Sequence, residues 1–176
     1  MSTDRDKPSF GERPLYPAAA LGFRAWGVRE RSLVSVTFSF EWQPGTTQAS
    51  CEHGHPAPHP RCACGLYAYH ELGPAIHVPY GGLGMVGAIA ACGNLEVHTT
   101  GFRCAEAQIL ALLEPQAFLG RLMEVSQRRA QLIARRYRVP LFADRNELLA
   151  YCRERADIVP DELRPQLEQT EKETPF

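Results

Sequence analysis

The sequence predicts an α+β protein, with a mostly antiparallel β-sheet or small barrel of about five to seven strands followed by C-terminal helices. Three observations carry this expectation. Period-two and short apolar segments crowd the region 21–110. Beyond Pro115 the apolar spacing changes to that of helices. Between the early strands lies a loop, 46–65, without periodicity but dense in cysteine and histidine.

The chain has 176 residues, enough for one domain and an appendage. Nineteen basic and twenty acidic residues leave a formal charge of −1, so no global field attracts nucleic acid or an anionic membrane. The most apolar run, Leu83 to Cys92, is interrupted by glycines and far shorter than the roughly 20 residues that span a bilayer. The polar start, MSTDRDKPSF, lacks the apolar stretch of a secretory signal. A cytoplasmic protein is expected, without membrane partners. In that reducing compartment the six cysteines read as ligands or buried thiols before disulfides.

Residues 1–20 carry Pro8, Pro14 and Pro17 among polar residues and read as a flexible arm. A strand follows at Gly22–Val28. The next, Leu33–Glu41, alternates Val34, Val36, Phe38 and Phe40 with Ser35, Thr37 and Ser39. Trp42-Gln-Pro-Gly45 ends it as a turn. Thr46–Gly65, holding Pro56, Pro58 and Pro60, reads as a loop. Strands resume at Leu66–His70, Ala75–Pro79 and Met85–Ala91. Cys92-Gly93-Asn94 reads as a hairpin turn into Leu95–Thr99, and a last strand spans Phe102–Ile109.

Helices then occupy 111–170, before a frayed tail at 171–176. The first runs from Pro115 to Tyr137, with Phe118, Leu119, Leu122, Val125, Leu132 and Ile133 on one face. Pro115 suits its first turn, and Val139-Pro140 ends it. A second spans about Asn146–Arg155, capped by Asp144 with Glu147 as capping-box partner. Asp161–Gln169 offers one more turn or two. Gly22-Phe-Arg-Ala25 recurs as Gly101-Phe-Arg-Cys104, each copy after a turn and at the start of a strand, as at two equivalent edges of one sheet.

Cys51, His53, His55, His59, Cys62 and Cys64 fall within fourteen positions, half of the chain's cysteines and half of its histidines. A twenty-residue structureless loop in a compact domain requires a reason for its order, and a structural zinc ion supplies one. The best four-ligand set is Cys51, His55, Cys62 and Cys64, with His53 or His59 able to replace a member. Cys-x-Cys is an awkward bite on a straight strand, and Gly65 stands where a turn relieves it. Plain buried thiols, or a disulfide or redox pair, are the competing readings.

Gly22-Phe-Arg-Ala-Trp26, Trp42-x-Pro-Gly45, Ala49-x-Cys51, His55-x-Ala-Pro58, Cys62-x-Cys-Gly-Leu-Tyr-Ala68, Gly93, His98 and Gly101-Phe-Arg103 occur in that order. This ordered series resembles a set of short, uncharacterised bacterial proteins and covers about residues 22–107. It departs from their pattern at Cys104, where alanine is expected, and at Ile89 to Cys92, where a bulkier residue precedes the glycine. The resemblance implies a shared β-rich unit and the same four-ligand set. It implies no reaction.

Arg24 and Arg103, one in each echo, could hold an anionic ligand through a planar guanidinium, with Trp26, Trp42, Tyr67 and Tyr69 lining the pocket. The competing reading has each arginine pinning a loop carboxylate or carbonyl. A small enzyme would use Cys64 or Cys104 as nucleophile with His70 or His98 as base, or a metal-bound water near Arg24 and Arg103. Gly81, Gly82, Gly84 and Gly87 lack the Lys-Ser/Thr of a phosphate loop.

Arg121, Arg128 and Arg135 stand seven apart on the long helix, a stripe able to meet nucleic acid phosphates. The nine acids against five bases in 144–173 offer an intramolecular answer, so a solvated or self-paired face is favoured. The leading expectation is a small soluble binding or interaction module with a structural zinc site, its partner a protein or small molecule.

Overall fold

The computed structural model of the chain describes residues 19–36, 40–76, 84–115 and 125–164. The expected N-terminal arm before Ala19, residues 116–124 of the expected long helix (Arg121 among them) and the tail beyond Arg164 lie outside the described residues.

Two long strands form the frame. β5 (Gly84–Val97) and β6 (Gly101–Leu113) pair antiparallel along nearly their whole length, turning at His98–Thr100. β1 (Ala20–Arg29) pairs antiparallel with β5 from Ala20↔Ala91 to Gly27↔Gly84. β4 (Leu66–Tyr69) lies between the other edges, pairing with β6 from Leu66↔Cys104 to Tyr69↔Gly101 and with β1 at Phe23↔Tyr69. The path β1–β5–β6–β4 thus returns to β1, and closure into a small barrel removes the open edges that would otherwise recruit foreign strands. β2 (Ser32–Val34) extends β1, and β3 (Thr46–Gln48) extends β6.

Alternation along these strands makes two cores. Ala20 and Trp26 of β1 face the larger one with Leu33, Trp42, Met85, Ile89, Phe102 and Leu112, and Ile133 and Tyr137 of α2 (Gln127–Tyr137) cover it. Leu21 and Phe23 face the other with Ala88, Ala111 and Leu113, where α1 (Leu72–Ile76) and α3 (Arg145–Arg153) pack through Leu72, Ala75, Leu148 and Cys152. Tyr137 locks α2 down: its hydroxyl accepts from the Leu33 N–H at 2.9 Å and donates to the Trp42 carbonyl at 2.8 Å.

Asp144 caps α3 as its sequence signal predicts, accepting from Asn146 and Glu147 N–H. The long helix expected from Pro115 needs correction: Pro115, Val125 and Ser126 are not helical, and α2 starts only at Gln127, where Ser126 caps it by accepting from Arg129 N–H. Several other expectations need correction. Cys92-Gly93-Asn94 is a bulge inside β5 and not a turn, with Gly93 at φ +75° taking the left-handed conformation that both features demand. Ala75 and Ile76 belong to α1, because Leu72 and Ala75, three apart, bury one helical face. Thr46–Gln48 form a strand within the expected loop, Thr47 being buried while its neighbours face outward. The helical region also contributes two short parallel strands, β7 (Leu141–Phe142) on β6 and β8 (Asp157–Ile158) on β1. Eight strands stand among the described residues, against the five to seven expected.

The two echo copies lie on β1 and β6, the strands that flank β4. In both the glycine admits a close approach: a Cβ on Gly22 would fall 2.6 Å from that of Ala68, and one on Gly101 2.1 Å from the Ala68 carbonyl oxygen. No helix among the described residues is long and apolar enough to cross a membrane.

Candidate metal centre

The Cys/His loop crosses the outward face of β4 and β6. Gly65, at φ +123°, turns the chain from Cys64 into β4, as the Cys-x-Cys spacing requires. Ala57 and Pro58 are buried beneath the loop, and the Gly65 Cα lies so close to Pro58 and Arg103 that a Cβ there would meet theirs at 3.2 and 3.1 Å.

Arg103 holds this loop from below. It is 5% exposed, and its Nη1 donates to the carbonyls of Cys62 and, at 3.0 Å, Cys64. Nη2 reaches the His59 carbonyl at 3.4 Å and the Glu96 carboxylate at 2.6 Å. Tyr67 lies beside it, ring centroid 5.8 Å from the guanidinium, with its own hydroxyl bonded to the Ala63 carbonyl at 2.9 Å. The row Tyr67–Arg103–Glu96 follows from register, each being the direct cross-strand neighbour of the next. Arg103 therefore pins loop carbonyls.

Above the clamp the sulfur and imidazole groups converge. One ligand atom each from Cys51, His53, His55 and Cys62 lies within 4.8 Å of all the others. Cys51 Sγ is 3.7 Å from Cys62 Sγ, 3.4 Å from His55 Nε2 and 3.7 Å from His53 Nδ1, and Cys62 Sγ is 3.8 Å from His53 Nδ1. Zinc bonds of about 2.3 Å to sulfur and 2.0–2.1 Å to nitrogen give a tetrahedron with S···S edges of about 3.8 Å and S···N edges of about 3.6 Å. These four spacings lie within about 0.2 Å of such edges.

Cys64, expected as a ligand, stands at the flank, its Sγ 3.8 Å from Nδ1 of His55, the nitrogen turned away from Cys51. His53, named only as a substitute, joins the group instead. His59 stacks on His55 with ring centroids 4.1 Å apart and so steadies that ring. Burial works against ionisation of both flanking thiols. At Cys62 it is outweighed by hydrogen bonds from the Cys64 backbone and from Cys51, Cys64 and His53, which draw the thiol down to about 6. At Cys64 burial prevails, with the Cys62 and Cys51 side chains adding to it, and the thiol is raised.

A cleft of about 1290 Å³ opens beside this loop, lined among others by Arg24, Phe40, Cys62, Tyr67, Tyr69 and Phe102. Trp26 is fully buried in the larger core and backs Arg24 from there. Two of the residues expected as nucleophile and base are otherwise engaged. Cys104 is fully buried, its thiol pushed up by burial to about 12, the reverse of what a nucleophile needs. His70 Nε2 is engaged with the His98 carbonyl at 2.9 Å. On α2, Arg128 and Arg135 are exposed, while Arg129 donates to the Glu30 carbonyl and Arg136 pairs with Glu41 at 3.3 Å. Among the described residues the acid paired with that helix is Glu41 of the β-domain.

Glu96 stands opposite Arg103 because the β5–β6 hairpin turns at His98–Thr100. Comparison of the chain with protein-family models, with curated proteins and with solved structures finds no match in any of the three.

Proposed function

We propose that the protein is a small binding module whose Cys/His loop is ordered by one structural zinc ion, held by Cys51, His53, His55 and Cys62. The observation that carries this reading is the convergence of four soft or borderline ligand atoms at tetrahedral edge spacing. Four protein ligands leave no open position for water, so the ion cross-links the loop and takes no part in a reaction. The ion closes a prolyl segment that has few backbone ladder bonds of its own, and its binding energy is folding energy. Arg103 and Glu96 supply the outer support, fixing the carbonyls of two residues in the cluster's sequence neighbourhood.

Elemental analysis of protein purified without chelator tests the reading, with one zinc per chain expected. Cobalt substitution then counts thiolates through the strength of the sulfur-to-metal charge-transfer band. His53→Ala should lose the ion and Cys64→Ser keep it. The opposite pattern transfers the fourth position to Cys64, and a metal-free protein that melts unchanged in EDTA removes the proposal.

A further inference from the structure

Arg24 stands on the inward face of β1, in line with Ala20 and Trp26, where the alternation calls for an apolar side chain. It is 6% exposed and yet lines the cleft. Its Nη2 donates to Ser35 Oγ at 3.3 Å, the long end of the hydrogen-bond range, and Ser35 also accepts from Trp42 Nε1 at 3.1 Å. Nε and Nη1, with three N–H donors between them, are buried and have no hydrogen-bond partner among the described residues. The guanidinium carbon lies 4.5 Å from the Trp42 ring centroid and 5.6 Å from that of Trp26. Burial pulls its pKa down to about 10, against a weaker opposing influence of Cys104 and Tyr69. Unlike Arg103, which has Glu96, Arg24 has no carboxylate among the described residues that offsets its charge. A buried cation without a counter-charge is costly, and a sequence retains one where an incoming anion completes it.

We propose that the cleft binds a small organic carboxylate, its anionic end replacing Ser35 on Arg24 and its apolar body lying against Phe40, Tyr69 and Phe102. One buried positive charge matches one negative charge, which favours a carboxylate over a doubly charged phosphate ester. The walls supply the apolar lining typical of small-molecule sites, and the cavity is large enough for a ring-bearing ligand. This goes beyond the zinc reading. It needs the loop in place as one wall but no chemistry from the ion.

Trp26 and Trp42 are the chain's two tryptophans, and both flank Arg24, so their emission reports on the site. The full chain, supplemented with zinc, is titrated with phenylacetate, benzoate and hexanoate, and with phenylacetamide and phenyl phosphate as comparators. A saturable change with at least one carboxylate, and none with the amide, is expected. Arg24→Met should weaken that response roughly tenfold or more, the loss typical of a charge-assisted contact. No saturable response up to the solubility limit, equal response to the amide, or tighter binding of phenyl phosphate would overturn the assignment. The ligand-free Arg24→Met protein should melt at or above the wild-type temperature, since the variant removes an unpaired buried charge. A clear fall would make Arg24 a structural prop and also overturn it. Repeating the titration in EDTA separates the two proposals: a carboxylate response in protein that binds no zinc retains this inference while discarding the metal.

Discussion

Arg103 and Glu96 face each other across the β5–β6 hairpin with 2.6 Å between Nη2 and Oε2, and the same guanidinium carries the carbonyls of Cys62 and Cys64. The ion pair thus fixes the arginine, and the arginine fixes the loop. Lysine offers a single rotatable ammonium in place of the planar fork and cannot serve these acceptors together. Arg103→Lys should keep the β-sheet circular dichroism but cost about 2–3 kcal/mol in urea unfolding. Zinc retention in a chelator competition should fall about 10- to 100-fold, as for other supports of metal ligands. Unchanged retention would detach the clamp from the cluster.

Removing the ion should loosen the loop and spare the barrel, whose strands close on one another without it. At a free zinc concentration of about 1,000 times the dissociation constant, the bound ion adds about 4 kcal/mol of stability. Thermal melts with zinc and with excess EDTA should differ accordingly, and hydrogen exchange should rise across 49–65 alone. Exchange rising equally through β5 and β6 would show that the ion supports the whole fold.

Tyr137 joins α2 to two separate stretches of backbone through one oxygen. Phenylalanine preserves the packing but leaves a buried N–H at Leu33 and a buried carbonyl at Trp42 unanswered. Tyr137→Phe should therefore cost about 2–3 kcal/mol by chemical denaturation, more than one ordinary hydrogen bond. A loss below about 0.5 kcal/mol would mean that both groups find water or new partners.

What the sequence disclosed, and what it hid, divides along local and non-local lines. Asp144 announces its helix because a cap acts within four residues. The density of cysteine and histidine at 51–64 marks the candidate metal loop for the same reason. Gly93 misleads because a bulge and a turn ask for the same positive φ, and only the partner strand decides between them. Leu141–Phe142 and Asp157–Ile158 have too few residues for any period, and they are strands only because β6 and β1 lie beside them. The choice between His53 and Cys64 rests on which nitrogen of His55 faces Cys51, a rotation that spacing cannot carry.

His70 makes the fold sensitive to acid. Burial lowers its pKa below the usual histidine value near 6.5, although the hydrogen bond to the His98 carbonyl works the other way. Arg164 adds to the lowering, and Asp161 and Glu71 oppose it. A folded pKa below the unfolded one means that the unfolded chain binds the proton more tightly. The contribution of His70 is then complete above about pH 6.5 and is lost as pH falls through the lowered folded value. Melting temperature should decline from pH 7.5 to pH 5, and less steeply in His70→Gln. Because acid also protonates zinc ligands, both proteins must be compared in EDTA as well as in zinc. Parallel slopes in both conditions would clear His70 of any role.

Gly101 opens β6 where β4 crosses closest, and the barrel depends on that approach. A Cβ there would sit 2.1 Å from the Ala68 carbonyl oxygen and 3.1 Å from the Tyr69 Cα, both backbone atoms that no rotamer change can move. Relief requires β4 to leave β6, breaking the Ala68↔Phe102 and Tyr69↔Gly101 pairs and with them the link that closes β4 onto β1. Gly101→Ala should cost more than about 4 kcal/mol or prevent folding, a size reserved for clashes of this kind. Gly73→Ala is the control, since a Cβ there meets nothing within 4 Å, and it should leave the melt within about 0.5 kcal/mol of wild type. If Gly101→Ala melts like the control, the β4–β6 approach is looser than 2.1 Å implies, and the closed path through β4 fails with it.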